Sequence, residues 1–153
     1  MSRSIRIASG PGASSGHDYD RVGHNFLFVV VREGSAAVNH IPVSAVVIAY
    51  NDEPNMRACL ESITWADEII VVDSHSTDAT ERISREFTDQ VYQHDFHGFG
   101  RLRNEALTHA THDWVFSLDT DERATPEVRE EIRRVLAAGP EADAYFVPRK
   151  NYF

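Results

Sequence analysis

From Val43 onward, short apolar runs alternate with stretches of helical period, and this alternation leaves few folds open. Residues 43–49 (V-S-A-V-V-I-A), 68–72 and 114–118 are apolar runs of the length of buried strands. Residues 91–93 make a short strand and 144–147 begin another. Between them lie helical patterns. In residues 53–63, Pro54 suits a first turn, and Met56, Cys59, Leu60 and Ile63 fall at i, i+3, i+4 and i+7. Residues 78–87 read as a second helix, with Asp78 and Glu81 as a capping box. Residues 99–110 read as a third. Thr125 caps a fourth with Pro126 at its first position, and Val128, Ile132, Val135 and Leu136 form its apolar face. Gly139-Pro140 stops it. This β-α-β-α-β-α-β-α-β order predicts an α/β fold: a Rossmann-like, mostly parallel sheet with helices on both faces.

Residues 1–40 differ. The first sixteen are rich in Ser and Gly, and 17–40 hold no sustained period, although 26–31 could make one strand. This stretch is expected to be a disordered or loosely attached leader. The 153 residues suffice for one domain with a core. A net charge of −9 argues against bulk attraction to nucleic acid. The lone Cys59 excludes an intrachain disulfide, fits a reducing compartment and sits at a core position of its helix. No apolar run approaches the roughly 20 residues that span a bilayer, and the opening residues lack the order of a secretory signal. A cytoplasmic location is expected.

Polar clusters follow the strand runs. Tyr50, Asn51, Asp52 and Glu53 follow the first; Asp73, Ser74, His75, Ser76 and Asp78 follow the second. Asp119, Asp121 and Glu122 end the run W-V-F-S-L-D-T-D-E. In a parallel sheet such carboxyl ends lie side by side, where open α/β sheets bind ligands. Clustered carboxylates repel unless something positive joins them. Asp119-Thr120-Asp121 therefore suggests a divalent metal with phosphate oxygens on its far side. Arg101, Arg103 and Asn104 follow Gly98 and Gly100 near a helix start, a pattern that suits phosphate or, equally, a solvated basic face. Residues 73–78 alone could be no more than a helix cap. Neither a G-x-G-x-x-G nor a Walker lysine motif is present. His94 with His97, and His109 with His112, have i, i+3 spacing; with no cysteine beside them and no third ligand evident, they read as surface or structural histidines.

Taken in order, A-Y-N-D-E, V-V-D-S-H-S-T-D-A-T, G-F-G-R-L-R-N-E-A-L and L-D-T-D-E resemble the family 2 glycosyltransferases of GT-A fold. Within that family the resemblance is closest to bacterial enzymes of lipopolysaccharide core synthesis, of the beta-1,4-glucosyltransferase type. It spans residues 43–153 and implies a nucleotide-sugar-binding domain over 41–153. It implies that Asp73 hydrogen-bonds the nucleotide base, with the loop of Tyr50, Asn51 and Glu53 nearby, and that Ser74 also belongs to the donor site. Arg103 and Asn104 would face the diphosphate, Asp119 would lie near ribose and metal, and Asp121 would ligate Mg²⁺ or Mn²⁺. The implied reaction moves a sugar, glucose from a UDP-linked donor, to a lipopolysaccharide-core or related glycan, with inversion. The implied partners are this donor and a lipid-linked saccharide acceptor, with peripheral association at the inner face of the inner membrane. Inversion needs a carboxylate base. In the family that base lies in an acceptor half that follows the last residues of this chain, so the domain is expected to be incomplete at its C-terminus and no catalytic residue is assigned.

Two other readings stay open. One is a non-catalytic fragment that binds a nucleotide-sugar. The other is a haloacid dehalogenase-like phosphatase, which also sets Asp-x-Asp after a strand. That pattern continues with Thr or Val where this chain has Arg123, and it belongs at the first strand rather than late in the chain.

Overall fold

The computed structural model describes residues 27–31, 40–140, 142, 144–148 and 150. Ten elements follow in order: β1 (Leu27–Val31), β2 (Val43–Ala49), α1 (Glu53–Ser62), β3 (Glu68–Asp73), α2 (Thr80–Ser84), β4 (Val91–Gln93), α3 (Phe99–His109), β5 (Trp114–Asp119), α4 (Pro126–Ala138) and β6 (Ala144–Val147). One six-stranded sheet runs β4-β3-β2-β5-β1-β6. Strands β4, β3, β2 and β5 are mutually parallel, as the alternation predicts. β1 is antiparallel to both β5 and β6. Part of the stretch read as a leader is thus a sheet strand; the rest of residues 1–39 lies outside the described residues.

The pleat divides the core in two. Val43, Ala45, Val47 and Ala49 of β2, with Trp114, Phe116 and Leu118 of β5, face Met56, Cys59 and Leu60 of α1, Ile83 of α2, and Ile132 and Leu136 of α4. Val46, Ile48, Ile70, Val72 and Val115 face Leu102, Ala106 and Leu107 of α3. Helices therefore cover both faces, and near-continuous burial along β2 and β5 follows.

Helix ends followed the sequence at α4 and departed from it at α2. Thr125 Oγ1 accepts from Val128 N, and Gly139 closes α4 at φ 85°. α2 is only Thr80–Ser84, and its N-cap is Ala79 without a side-chain cap. The capping box fails because Asp78 spends its carboxylate elsewhere: it accepts from Thr80 N at 2.9 Å and from Glu53 N at 3.0 Å.

At the opposite end of the sheet from the carboxyl termini, Glu68 is 8% exposed and ties four segments together. It accepts from Ser44 Oγ (2.5 Å), Thr111 N (2.9 Å), Gln90 Nε2 (3.0 Å) and Thr111 Oγ1 (3.1 Å). Burial, the largest single influence, pushes its pKa up; the hydrogen bonds from Ser44, Thr111 and Gln90 together outweigh it, and the net shift is downward. A carboxyl that is more acidic folded than unfolded adds stability above its unfolded pKa of about 4.3, and that stability is lost as pH falls through the folded value. Urea unfolding of the wild type and Glu68→Gln between neutral pH and pH 3 (roughly one unit below that unfolded value) should show the wild type losing more stability than the variant. Parallel pH curves would rule this role out.

Candidate donor-binding site

β2, β3 and β5 end side by side, with Ala49 level with Asp73 and Ile48 level with Asp119. The loops leaving these ends enclose an open cleft of about 520 Å³. Ile48 and Ala49 reach its floor. Tyr50, Asp52 and Asn55 line it after β2, Ser74 after β3, and Asp119, Thr120 and Asp121 after β5; Phe96, Phe99 and Leu102 line it from the approach to α3.

The first two loops turn sharply. Asn51 (φ 44°) and His75 (φ 57°) both take the left-handed region, unusual for residues other than glycine. The loops then lock to each other. Asn51 N donates to Ser76 Oγ (2.8 Å) and Thr77 N to Asn51 Oδ1 (2.7 Å). Asp52 N donates to Thr80 Oγ1 (2.9 Å), and Ala79 N to Glu53 Oε2 (3.1 Å). Asn51 and Glu53 are therefore fasteners between loops and do not line the cleft.

Asp73 is fully buried. One carboxylate oxygen accepts from Ser76 N at 2.8 Å and the other from Ser76 Oγ. Ser74 is 5% exposed, and its Oγ is buried with no hydrogen-bond partner. A buried hydroxyl left unpaired at a cleft wall marks a place where a polar ligand atom would be stabilised.

Arg103 reaches across from α3, and its Nη2 donates to Asp119 Oδ1 at 2.6 Å. The guanidinium thus provides the positive charge that the carboxylate cluster needs. Its Nε is buried without a partner. Glu122 turns back to accept from Asp119 N at 2.9 Å. Arg123 ties the loop to the start of α1, donating to Thr120 O (2.8 Å) and Asn55 O (3.0 Å). Behind the loop, Cys59 Sγ donates to Asp119 O at 3.6 Å. Burial, the largest influence, pushes its thiol up to about 12, which keeps it protonated and chemically quiet.

Of the residues singled out in the sequence, the fold brings Tyr50, Ser74, Asp119 and Asp121 to the cleft, with Arg103 bonded to Asp119 and Asp73 buried next to Ser74. Asn104 is exposed on α3 and lies outside the lining. Sequence reasoning did not single out Asn55, Phe96 or Phe99. Phe96 and Phe99 are 52% and 68% exposed, and their rings meet edge to face at 5.1 Å. The aromatic spacing of D-F-H-G-F-G was the available signal.

Residues 44–152 match the profile of Glycosyl transferase family 2. The chain belongs to this family. It is 32% identical over 117 residues to the lipopolysaccharide core biosynthesis glycosyltransferase LpsC of Rhizobium meliloti, covering 73% of this chain and 43% of LpsC. It is 32% identical over 110 residues to the putative glycosyltransferase EpsH of Bacillus subtilis, covering 66% and 31%. The chain therefore spans less than half the length of these relatives. Among solved structures it is similar to residues 1–349 of TarS from S. aureus, with a TM-score of 0.54 and 27% identity over 62% of this chain and 32% of that one. It is also similar to the mannosyltransferase PcManGT of Pyrobaculum calidifontis in complex with GDP-Man and Mn²⁺, with a TM-score of 0.54 and 26% identity over 67% and 34%. The family 2 assignment fits the phosphatase reading poorly: Asp119-x-Asp121 follows the fifth strand, at an internal position of the sheet.

Proposed function

We propose that the cleft holds a nucleoside-diphosphate sugar and that the chain is the donor-binding part of an inverting glycosyltransferase acting on a lipopolysaccharide-core or related glycan. One observation carries the reading: Asp119 and Asp121 face a cleft at the ends of three parallel strands, with Arg103 fixed beside Asp119. Both carboxylates are hard oxygen donors, which suits Mg²⁺ or Mn²⁺. They would hold such an ion, which would supply positive charge against a departing diphosphate. Arg103 would add a second cation for phosphate oxygens. Ser74 would meet the base and Tyr50 would cover it, while Asp73, buried behind Ser74 with both oxygens bonded to Ser76, would shape that end of the cleft rather than touch the base directly. Support comes from PcManGT, a complex with GDP-Man and Mn²⁺, and from TarS in complex with UDP, which has a TM-score of 0.52 and 25% identity. For this chain the proposed donor is UDP-glucose, and LpsC supports the acceptor class. Among the described residues no helix is long and apolar enough to cross a membrane; the proposed contact with a lipid-linked acceptor is peripheral.

No described carboxylate is assigned as the base. Glu122 is held against the backbone of Asp119. A non-catalytic donor-binding module is the second reading, since Glu122, the carboxylate beside Asp121, is turned onto the backbone of Asp119. Calorimetric titration of UDP, UDP-glucose and GDP-mannose, each with and without Mn²⁺, tests donor binding and the choice of base. Absence of binding to every nucleotide-sugar would sink the proposal. Release of UDP on adding a lipopolysaccharide-core acceptor separates enzyme from binding module.

Arg103→Gln gives a further check. It removes a charge-assisted contact worth about 1.5–3 kcal/mol. UDP affinity should fall about tenfold or more, with the Mn²⁺ requirement retained. Unchanged affinity would remove Arg103 from the diphosphate.

A further inference from the structure

Among the described residues, the large apolar side chains that stand exposed are Tyr50, Phe96, Phe99 and Phe146, and the first three all line the donor cleft. Exposed aromatic surface gathered at one cleft marks a place for the apolar surface of a ligand. Tyr50, 63% exposed, comes from the end of β2, whereas Phe96 and Phe99 come from the approach to α3. The two phenylalanine rings form one unit. They meet edge to face at 5.1 Å with their planes 77° apart, a favoured arrangement of aromatic pairs. That contact leaves more than half of each residue open, 52% for Phe96 and 68% for Phe99.

The backbone holds these rings in place. Phe99 is the first residue of α3, and Gly98 is its N-cap at φ 103°. A side chain at Gly98 would meet nothing within 4 Å, so the glycine serves the turn and not a close approach. Leu102 N donates to Gly98 O at 3.1 Å and closes the first turn, which sets the buried Leu102 side chain next to Phe99 on one helix face. Tyr50 is followed by Asn51, whose bonds to Ser76 and Thr77 lock that loop. At the end of β3 the buried Ser74 Oγ has no partner. Aromatic surface from two elements, with one unpaired hydroxyl beside it, fits a flat ligand with two apolar faces and a polar edge. A nucleobase has that form. A pyranose carries hydroxyls around its rim, and each of them would need a polar partner when buried.

We propose that Phe96 and Phe99 form a second aromatic wall of the base pocket: the base of a nucleoside diphosphate stacks on this pair, with Tyr50 over its other face and Ser74 at its polar edge. The inference rests on the donor reading above and adds to it the residues that supply affinity for the base. Stacking on an aromatic ring is tolerant of base identity, because every base has a π face. The phenylalanine pair therefore supplies affinity for any base, and the choice among bases is left to the polar edge at Ser74. Phe99 and Arg103 stand one turn apart on α3, at i and i+4. The first turn of the helix would thus serve the base and the second the diphosphate.

Calorimetric titration of the wild type, Phe96→Ala, Phe99→Ala and Phe99→Tyr with UDP, UDP-glucose and inorganic pyrophosphate, all with Mn²⁺, tests the wall. Pyrophosphate is the probe without a base. Each alanine variant should lose about fivefold or more in affinity for UDP, and the same factor for UDP-glucose. Affinity for pyrophosphate should not change, and Phe99→Tyr, which keeps a ring, should bind UDP within about twofold of the wild type. Both rings are exposed, so the alanine variants are expected to fold. Wild-type affinity for UDP in both alanine variants overturns the wall and leaves the donor reading standing. An equal loss for pyrophosphate overturns it too, because the rings would then act on the diphosphate end. A loss for UDP-glucose with none for UDP assigns the rings to the sugar and overturns it as well. A wild type that binds neither UDP nor UDP-glucose removes the donor reading and this inference together.

Discussion

Asp121→Ala is expected to reduce the affinity for UDP in the presence of Mn²⁺ to the level measured without the metal. Asp121 is exposed on the cleft rim, and among the described residues none of the hydrogen bonds that shape its loop uses its side chain. The turn is held instead by Glu122 on Asp119 N and by Arg123 on Thr120 O and Asn55 O. Removing the carboxylate therefore leaves the fold intact, with stability unchanged to within about 0.5 kcal/mol. Binding is a different matter. A group that merely supports a metal ligand is worth 10–100-fold, and a direct ligand should be worth at least about 100-fold. The loss should be confined to the metal-dependent part: UDP titrated without Mn²⁺ should bind wild type and variant equally. If the variant keeps full Mn²⁺-dependent affinity, Asp121 is no ligand and the cation must be sought elsewhere. Asp119→Ala gives a mixed result by contrast, because it also strips Arg103 of its 2.6 Å partner.

The parallel half of the sheet was legible because burial on both faces writes itself as unbroken apolar runs. Residues 43–49 and 114–118 could hardly be anything but strands flanked by helices, and the Thr125-Pro126 pair marked a helix start by its own chemistry. β1 was legible only as an option, since nothing local in L-F-V-V-V says that it will run antiparallel between β5 and β6. The α2 start was misread because a capping box is a local pattern, whereas Asp78 took a partner 25 residues away at Glu53 N. The same long-range pairing governs the site. Asp119 and Asp121 sit where a strand end must put them. Asn51 and Glu53 look alike in sequence to ligand-facing residues, yet their hydrogen bonds run to the neighbouring loop. Phe96 and Phe99 offer only their i, i+3 aromatic spacing in sequence, and the folded approach to α3 is what sets them at the cleft.

Phe116→Ala is expected to cost about 3–5 kcal/mol. Phe116 sits in the middle of β5 with no exposed surface, on the face covered by α1 and α4. Its ring meets the Trp65 ring at 5.5 Å, tilted by 56°. Its neighbour across the parallel ladder is Ala45, too small to fill the space left behind. Trp114 and Leu118, the adjacent side chains on the same face of β5, are themselves almost fully buried and fixed by the strand. The cavity can therefore collapse little, which places the cost at the upper end of that range. Domains of this size hold only about 5–15 kcal/mol in total, so chemical denaturation of the variant should show its midpoint drop by about half. Asp119 stands three residues further along the strand. Ligand binding to the folded state adds stability by mass action, so saturating UDP with Mn²⁺ should recover part of the loss. Phe99→Ala supplies the contrast: this ring is 68% exposed, and its removal should change stability by less than about 0.5 kcal/mol. Equal losses from the two variants would contradict the packing of β5. A recovery by UDP that survives in Phe116→Ala combined with Asp121→Ala would separate the strand's support of the cleft from the metal-dependent part of binding.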